Sequence, residues 1–213
     1  DIRTPLTGIV GATDVLLEQD GSLTPQQRRE LLQSINEEAR WLMRVSENLL
    51  SITRIDGENA GVKKTPELVE EIIEGAVSKF RRHYKGIAVQ VHLPEEPMLV
   101  PMDPLLMQQV LFNLMENAAR HGETVTQIDI SLSQKDEWAI LDVADNGVGI
   151  ARGRLEHLFD GTLHPEEGRE DARRDMGIGL SVCRTVVTAH GGTITAENQK
   201  KGGALFRITL PIE

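Results

Sequence analysis

The apolar pattern of this chain is purely helical up to one boundary and mixed beyond it, and no other feature constrains the fold as tightly. Over residues 6–17 apolar side chains recur at helical spacing (Leu6, Ile9, Val10, Leu16, Leu17), and the pattern stops at Asp20-Gly21-Ser22. A second helical stripe runs through Leu32, Ile35, Ala39, Leu42, Val45, Leu49 and Ile52, opened by Thr24-Pro25 as cap and first-turn pair and ending near Asp56-Gly57. Past residues 57–61 helical stripes alternate with period-two stretches, so a domain boundary is expected there. The first two segments, joined by a short turn, should pair antiparallel as a hairpin. One hairpin has too little core, and a homodimeric four-helix bundle is the expected solution. The second helix, about 30 residues, outruns the first, about 19, by roughly 15 Å at the helical rise. Its missing partner should precede Asp1, so the chain reads as N-terminally truncated.

Composition narrows the function classes. The 213 residues carry 33 acidic and 23 basic side chains, a formal charge of −10, which argues against nucleic acid as a partner. A single cysteine, Cys183, excludes an internal disulfide framework and a multi-thiolate zinc site and fits a reducing, cytoplasmic setting. No apolar run approaches the roughly 20 residues needed to cross a bilayer, so any membrane link belongs to missing upstream regions.

Beyond the boundary the pattern predicts a helix over 66–80, a strand over 87–93, and a helix opened by Asp103-Pro104. A strand pair over 127–132 and 138–143, a short helix over 153–159, a charged loop over 164–175, a helix over 179–189 and strands over 193–197 and 204–210 follow. These elements fit an α+β sandwich, one mixed sheet covered by helices on one face.

Four patches carry possible chemistry. Asp145-Asn146-Gly147-Val148-Gly149-Ile150 directly follows a strand: its glycines permit close backbone approach to a ligand, and a carboxylate at a strand end can accept from an exocyclic amine. Taken alone, a tight turn explains it better. In Met176-Gly177-Ile178-Gly179-Leu180 glycines precede a helix whose N-terminal N–H groups and dipole suit phosphate, although a helix start after a loop uses the same residues. Asn113 and Asn117 share a helix face, with Arg120 and His121 a turn further on; two amides there can ligate a hard cation or bond phosphate, or form an exposed polar stripe. Asp1-Ile2-Arg3-Thr4-Pro5-Leu6 reads as a helix start capped by Thr4 with Pro5 first, or as a kink if the helix extends upstream.

Together and in this order, the four patches resemble the catalytic core of two-component sensor histidine kinases, over essentially the whole chain. Asp1 to Leu6 resembles the H box without its leading histidine, residues 113–121 the N box, residues 145–149 the G1 box, Phe159 the start of the F box, and residues 177–180 the G2 box. Residues 173–185 and the closing Gly191-Gly192 strand pair look most like the potassium-sensing Kdp subgroup.

The resemblance implies a dimerisation and histidine phosphotransfer hairpin, 1–58, followed by a Bergerat-type ATP-binding domain, 62–213. It implies that Asp145 binds the adenine amino group and that Asn113 and Asn117 hold Mg²⁺ against the phosphates. Arg120 stands at the usual basic phosphate contact, and His121 replaces the more frequent tyrosine. Gly147, Gly149, Gly177, Gly179 and Leu180 belong to the loops and lid that close over ATP. The implied reaction is attack of a histidine nitrogen on the γ-phosphorus, then transfer to an aspartate of a response-regulator receiver domain. Asp1 matches the acidic residue that orients or accepts the proton of that histidine. Thr4 matches the residue that orients water when the receiver is dephosphorylated.

The chain departs from the family pattern in three places. None of its six histidines falls in the hairpin, Leu163 stands where the F box has a second aromatic, and Asp175 where the G2 box often has glycine. These 213 residues are therefore not expected to phosphorylate themselves. A hydrolytic ATPase of the same fold is disfavoured, since Asn113 stands where such enzymes have a glutamate and an amide cannot act as general base. A nucleotide-binding dimeric scaffold, or a phosphatase-biased relative with weak kinase activity, is the alternative.

Overall fold

The computed structural model describes residues 2–18, 21–55, 62–160 and 178–213. The chain divides into two compact units, Asp1–Leu50 and Ser51–Glu213.

The first unit is a helical hairpin of α1 (Arg3–Glu18) and α2 (Pro25–Ile55, which continues past Leu50). Thr24 and Gln27 form a reciprocal capping box: the Gln27 N–H donates to Thr24 Oγ1 (3.2 Å), and the Thr24 N–H donates to Gln27 Oε1 (2.9 Å). The helices pass each other where Gly8 faces Glu38, since a Cβ on Gly8 would lie 3.9 Å from the Glu38 Cγ. Thr4 is not a cap: α1 already begins at Arg3, which places Thr4 and Pro5 inside its first turn.

In the second unit the order is β1 (Thr65–Leu68), α3 (Val69–His83), β2 (Ala88–His92), β3 (Leu99–Met102), α4 (Pro104–His121), β4 (Gln127–Lys135) and β5 (Trp138–Asp145). A short helix, α5 (Arg152–Leu155), then α6 (Ile178–Ala189), β6 (Thr193–Asn198) and β7 (Ala204–Pro211) complete it. The main sheet has the order β2-β4-β5-β7-β6, with β2 parallel to β4 and every other neighbour antiparallel. Its strands alternate as the period-two pattern requires: Ile128, Ile130 and Leu132, then Leu141 and Val143, then Phe206, Ile208 and Leu210 are buried. They meet apolar stripes of α3 (Ile72, Ile73, Phe80), α4 (Leu106, Leu111, Leu114) and α6 (Val182, Val186) in one core.

Two further expectations are corrected. Residues 65–68 are a strand rather than the start of a helix, because they pair antiparallel with β3 (Thr65 with Met102, Leu68 with Leu99). Pro66 mimics a helix start, but its missing N–H is equally harmless in a two-stranded ribbon, where each strand is an edge. The sheet is accordingly not single: β1 and β3 form a separate small sheet. The charged loop expected over 164–175 and the boundary at 57–61 lie outside the described residues.

Candidate functional site

Helix α4 begins where the sequence places it. Asp103 Oδ1 accepts from the N–H groups of Leu105 (2.9 Å) and Leu106 (3.0 Å), and Pro104 takes the first position without needing a donor. This cap sets the helical phase that buries Leu111, Leu114 and Met115 and brings Asn113 to the side where α6 packs. Asn113 is 9 % exposed; its Oδ1 accepts from Gln109 Nε2 (2.8 Å), and its Nδ2 lies 3.5 Å from the Gly179 carbonyl. The asparagine helix and the glycine-bearing start of α6 therefore meet. Asn117, one turn on, is half-buried. Leu180 is a core residue at 2 % exposure. A Cβ on Gly179 would meet nothing within 4 Å, so no close approach among the described residues demands that glycine.

Asp145 ends β5 and is 5 % exposed. Its Oδ1 accepts the Gly147 N–H (2.8 Å), while its Oδ2 makes no hydrogen bond among the described residues. The following loop is tied back to the sheet by Asn146, whose Oδ1 accepts from the Thr126 and Gln127 N–H groups (both 3.0 Å). It is tied to α4 by the Val148 N–H, which donates to the carbonyl of Gly122, the residue closing that helix just after His121 (3.2 Å). Gly147 is obligatory for this approach: a Cβ there would meet the Gly122 carbonyl oxygen at 2.5 Å. Thus the asparagine helix contacts the Asp145 loop at its C-terminus and α6 along its side. The loop also runs on toward Phe159, which packs edge-on against the core residue Phe206 (centroids 6.4 Å apart).

Arg120 has an ion-pair partner within α4, Glu116 (3.8 Å), which also accepts from the Tyr84 hydroxyl (2.8 Å). Burial, reinforced by the Glu116 carboxylate, pushes the Tyr84 hydroxyl up to about 12, so it remains a donor at every ordinary pH. Thr4 is exposed on α1 in the other unit. Asp1 and Gly177 lie outside the described residues. Sequence reasoning missed Gln109, which orients Asn113, and Asn198 and Gln199, which hold the Asp145 loop from the end of β6; a strand-end Asn-Gln before Lys200-Lys201-Gly202-Gly203 reads only as a turn.

A helix carrying two asparagines thus adjoins both the loop of a buried strand-end aspartate and the start of a glycine-bearing helix. The chain belongs to the histidine kinase-, DNA gyrase B- and HSP90-like ATPases, whose family profile matches residues 102–213, and within them to the sensor histidine kinases, since the His Kinase A (phospho-acceptor) domain profile matches residues 1–58.

The relatives include sensor protein KdpD of Clostridium acetobutylicum, 37 % identical over 100 % of this chain and 24 % of that protein. Sensor protein KdpD of Escherichia coli is 35 % identical over 99 % of this chain and 23 % of its own length. The chain thus spans about a quarter of the length of these curated relatives. Among solved structures, histidine kinase ThkA in complex with response regulator protein TrrA shares the fold, with a TM-score of 0.73 at 23 % identity over 100 % of this chain and 59 % of that chain.

Proposed function

We propose that this chain is the catalytic core of an ATP-dependent protein histidine kinase of a two-component system, of the Kdp type. In this reading the ATP-binding domain, 62–213, serves a histidine immediately preceding Asp1 in the longer protein. The phosphoryl group passes from that histidine to a response-regulator aspartate, and the same hairpin, 1–58, also supports dephosphorylation of the receiver. The observation that carries the reading is the convergence on α4, where Asn113 reaches the first turn of α6 and Gly122 holds the Asp145 loop.

The residues fit the groups such a reaction needs. Asp145 keeps one carboxylate oxygen on Gly147 and offers the other to an amino group, as an adenine site requires. The amide oxygens of Asn113 and Asn117 are hard, neutral donors suited to Mg²⁺. Magnesium bound there supplies charge neutralisation at the phosphates. The first-turn N–H groups of α6 add fixed positive dipoles against the same charge. Arg120, held by Glu116, presents its guanidinium on the α4 face that carries Asn113 and Asn117, and His121 stands one position before the Gly122 carbonyl that fixes the loop. With an amide at position 113, α4 provides no general base there for water, which favours transfer to histidine over hydrolysis.

In the hairpin, Thr4 is solvent-accessible and free to orient a water, the role proposed for it in dephosphorylation; Asp1 is proposed to orient the acceptor imidazole. The hairpin exposes Leu6 (47 %), Val10 (55 %), Leu17 (81 %), Leu32 (52 %) and Met43 (64 %), an apolar surface that supports homodimerisation. No helix among the described residues is long and apolar enough to cross a membrane. The chain is proposed to be the cytoplasmic part of a membrane-anchored bacterial sensor.

The test uses the protein extended through the residue preceding Asp1, incubated with Mg-ATP labelled on the γ-phosphate. An acid-labile, base-stable label lost in the Asp145→Asn variant is expected. No label in a folded dimer that binds nucleotide would overturn the kinase reading in favour of a phosphatase-biased or scaffold protein.

A further inference from the structure

The loop that carries Asp145 is held at both ends by neighbouring side chains from one strand terminus. The Asn198 amide engages a single residue twice: its Oδ1 accepts the Ile150 N–H (2.7 Å) and its Nδ2 donates to the Ile150 carbonyl (2.7 Å). The two bonds fix the amide orientation, since a flipped amide would face donor with donor and acceptor with acceptor. Beside it, Gln199 Nε2 donates to the Asp145 carbonyl (2.7 Å). Residues 145 and 150, the first and last of the loop, are thus pinned by residues 199 and 198.

The glycines of the region make room for this clamp. Gly149 has φ +79°, and a Cβ there would sit 2.7 Å from Asn198 Oδ1. Gly203 has φ +90°, and a Cβ on it would collide with the Asp145 carbonyl. Both positions therefore serve the chain's own packing, whatever ligand the loop meets. Inside the loop, the Gly147 N–H bonds Asp145 Oδ1, so the course of the loop sets the direction of the carboxylate.

We propose that Asn198 is a positioning residue of the nucleotide site: by clamping Ile150 it holds the loop in the form that aims the Asp145 carboxylate, and so sets adenine selectivity. The proposal rests on the reading of Asp145 as the adenine contact. Without the clamp, the loop samples other conformations and must be ordered at the moment of binding, which lowers apparent affinity by the fraction of time the competent form is absent. Two lost hydrogen bonds, partly exposed to water, correspond to roughly a tenfold weakening. Selectivity falls as well, because a misdirected carboxylate no longer rejects a base that lacks the amino group.

The experiment titrates ADP and GDP calorimetrically into the 213-residue chain and follows amide hydrogen exchange at Ile150. In Asn198→Ala the expected results are roughly tenfold weaker ADP binding, a reduced ADP-to-GDP preference and faster Ile150 exchange, at temperatures where the variant is folded. Asn198→Asp, nearly isosteric, keeps the acceptor for the Ile150 N–H but sets an oxygen against the Ile150 carbonyl; the same losses are expected, and it carries the test if the alanine variant does not fold. Unchanged ADP affinity and preference in a folded variant, or a lowered melting temperature with an unchanged preference, overturns the proposal. If the unsubstituted chain shows no preference for ADP, the adenine reading itself fails, and Ile150 exchange still decides whether Asn198 clamps the loop.

Discussion

Mild acid should weaken the second unit through one imidazole. His190 is 0 % exposed. Its Nδ1 bonds the Val186 carbonyl (2.7 Å), and its Nε2 accepts the backbone N–H of Asp103, the residue that caps α4 (2.9 Å). A ring nitrogen that accepts an N–H carries no proton, so the buried ring is the neutral tautomer protonated on Nδ1. Charging Nε2 would set two donors against each other at the start of the helix that bears Asn113. Burial is the main cause that lowers the His190 pKa from 6.5; the Val186 carbonyl opposes it, the Lys64 charge adds to it, and Asp103 pulls weakly upward. The Lys64 Nζ donates to the His190 carbonyl (2.9 Å).

Because the folded value lies below the unfolded one, the unfolded chain binds the extra proton as the pH drops. The stability held by the neutral ring is complete above pH 6.5 and is lost as the pH falls through 6.5 toward the folded value. The loss proceeds at no more than about 1.4 kcal/mol per pH unit and is confined to the interval between 6.5 and the folded value. Urea unfolding of a Trp41→Phe variant, with Trp138 reporting β5, measures it in the presence and absence of His190→Gln. The glutamine variant should be less stable at neutral pH but should lose less stability between about pH 7 and about pH 5.5. Equal pH slopes in the two proteins would refute the assignment.

Other substitutions test the loop and the core. Gly203→Ala sets a methyl group against the Asp145 carbonyl at a positive φ and should cost more than about 2 kcal/mol and weaken nucleotide binding, read by denaturant unfolding and calorimetry; stability within about 0.5 kcal/mol of the unsubstituted chain would show that the turn relaxes freely. Cys183 is buried, and burial pushes its thiol up to about 12, so iodoacetamide at mildly alkaline pH should leave it unmodified until the chain unfolds, as mass spectrometry would show; rapid native labelling would mean that α6 opens readily.

The signals legible in the sequence are those that act within a few residues. Asp103 caps Leu105 and Leu106 two and three positions away, Thr24 and Gln27 cap each other across one turn, and the β4–β5 hairpin closes at Asp136, whose φ of +55° suits the tight turn. The same reach puts Asn113 and Asn117 on one helix face, and the Asp145 loop was recognisable from its own residue order. Pro66 shows where this reach ends: a proline suits a helix start and an edge strand equally, and only pairing with residues some thirty positions away selects the strand.

The geometry of the site lay beyond sequence reading for the same reason. Gly149 reads as a ligand-facing glycine, yet what crowds it is Asn198, 49 positions later (198 minus 149); Gly203 is required by a carbonyl 58 positions earlier (203 minus 145). Periodicity and capping are local free energies and are written in local order. Which backbone meets which side chain across the sheet is decided by packing of the whole core, and there the clamp on the Asp145 loop and the protonation state of His190 are settled.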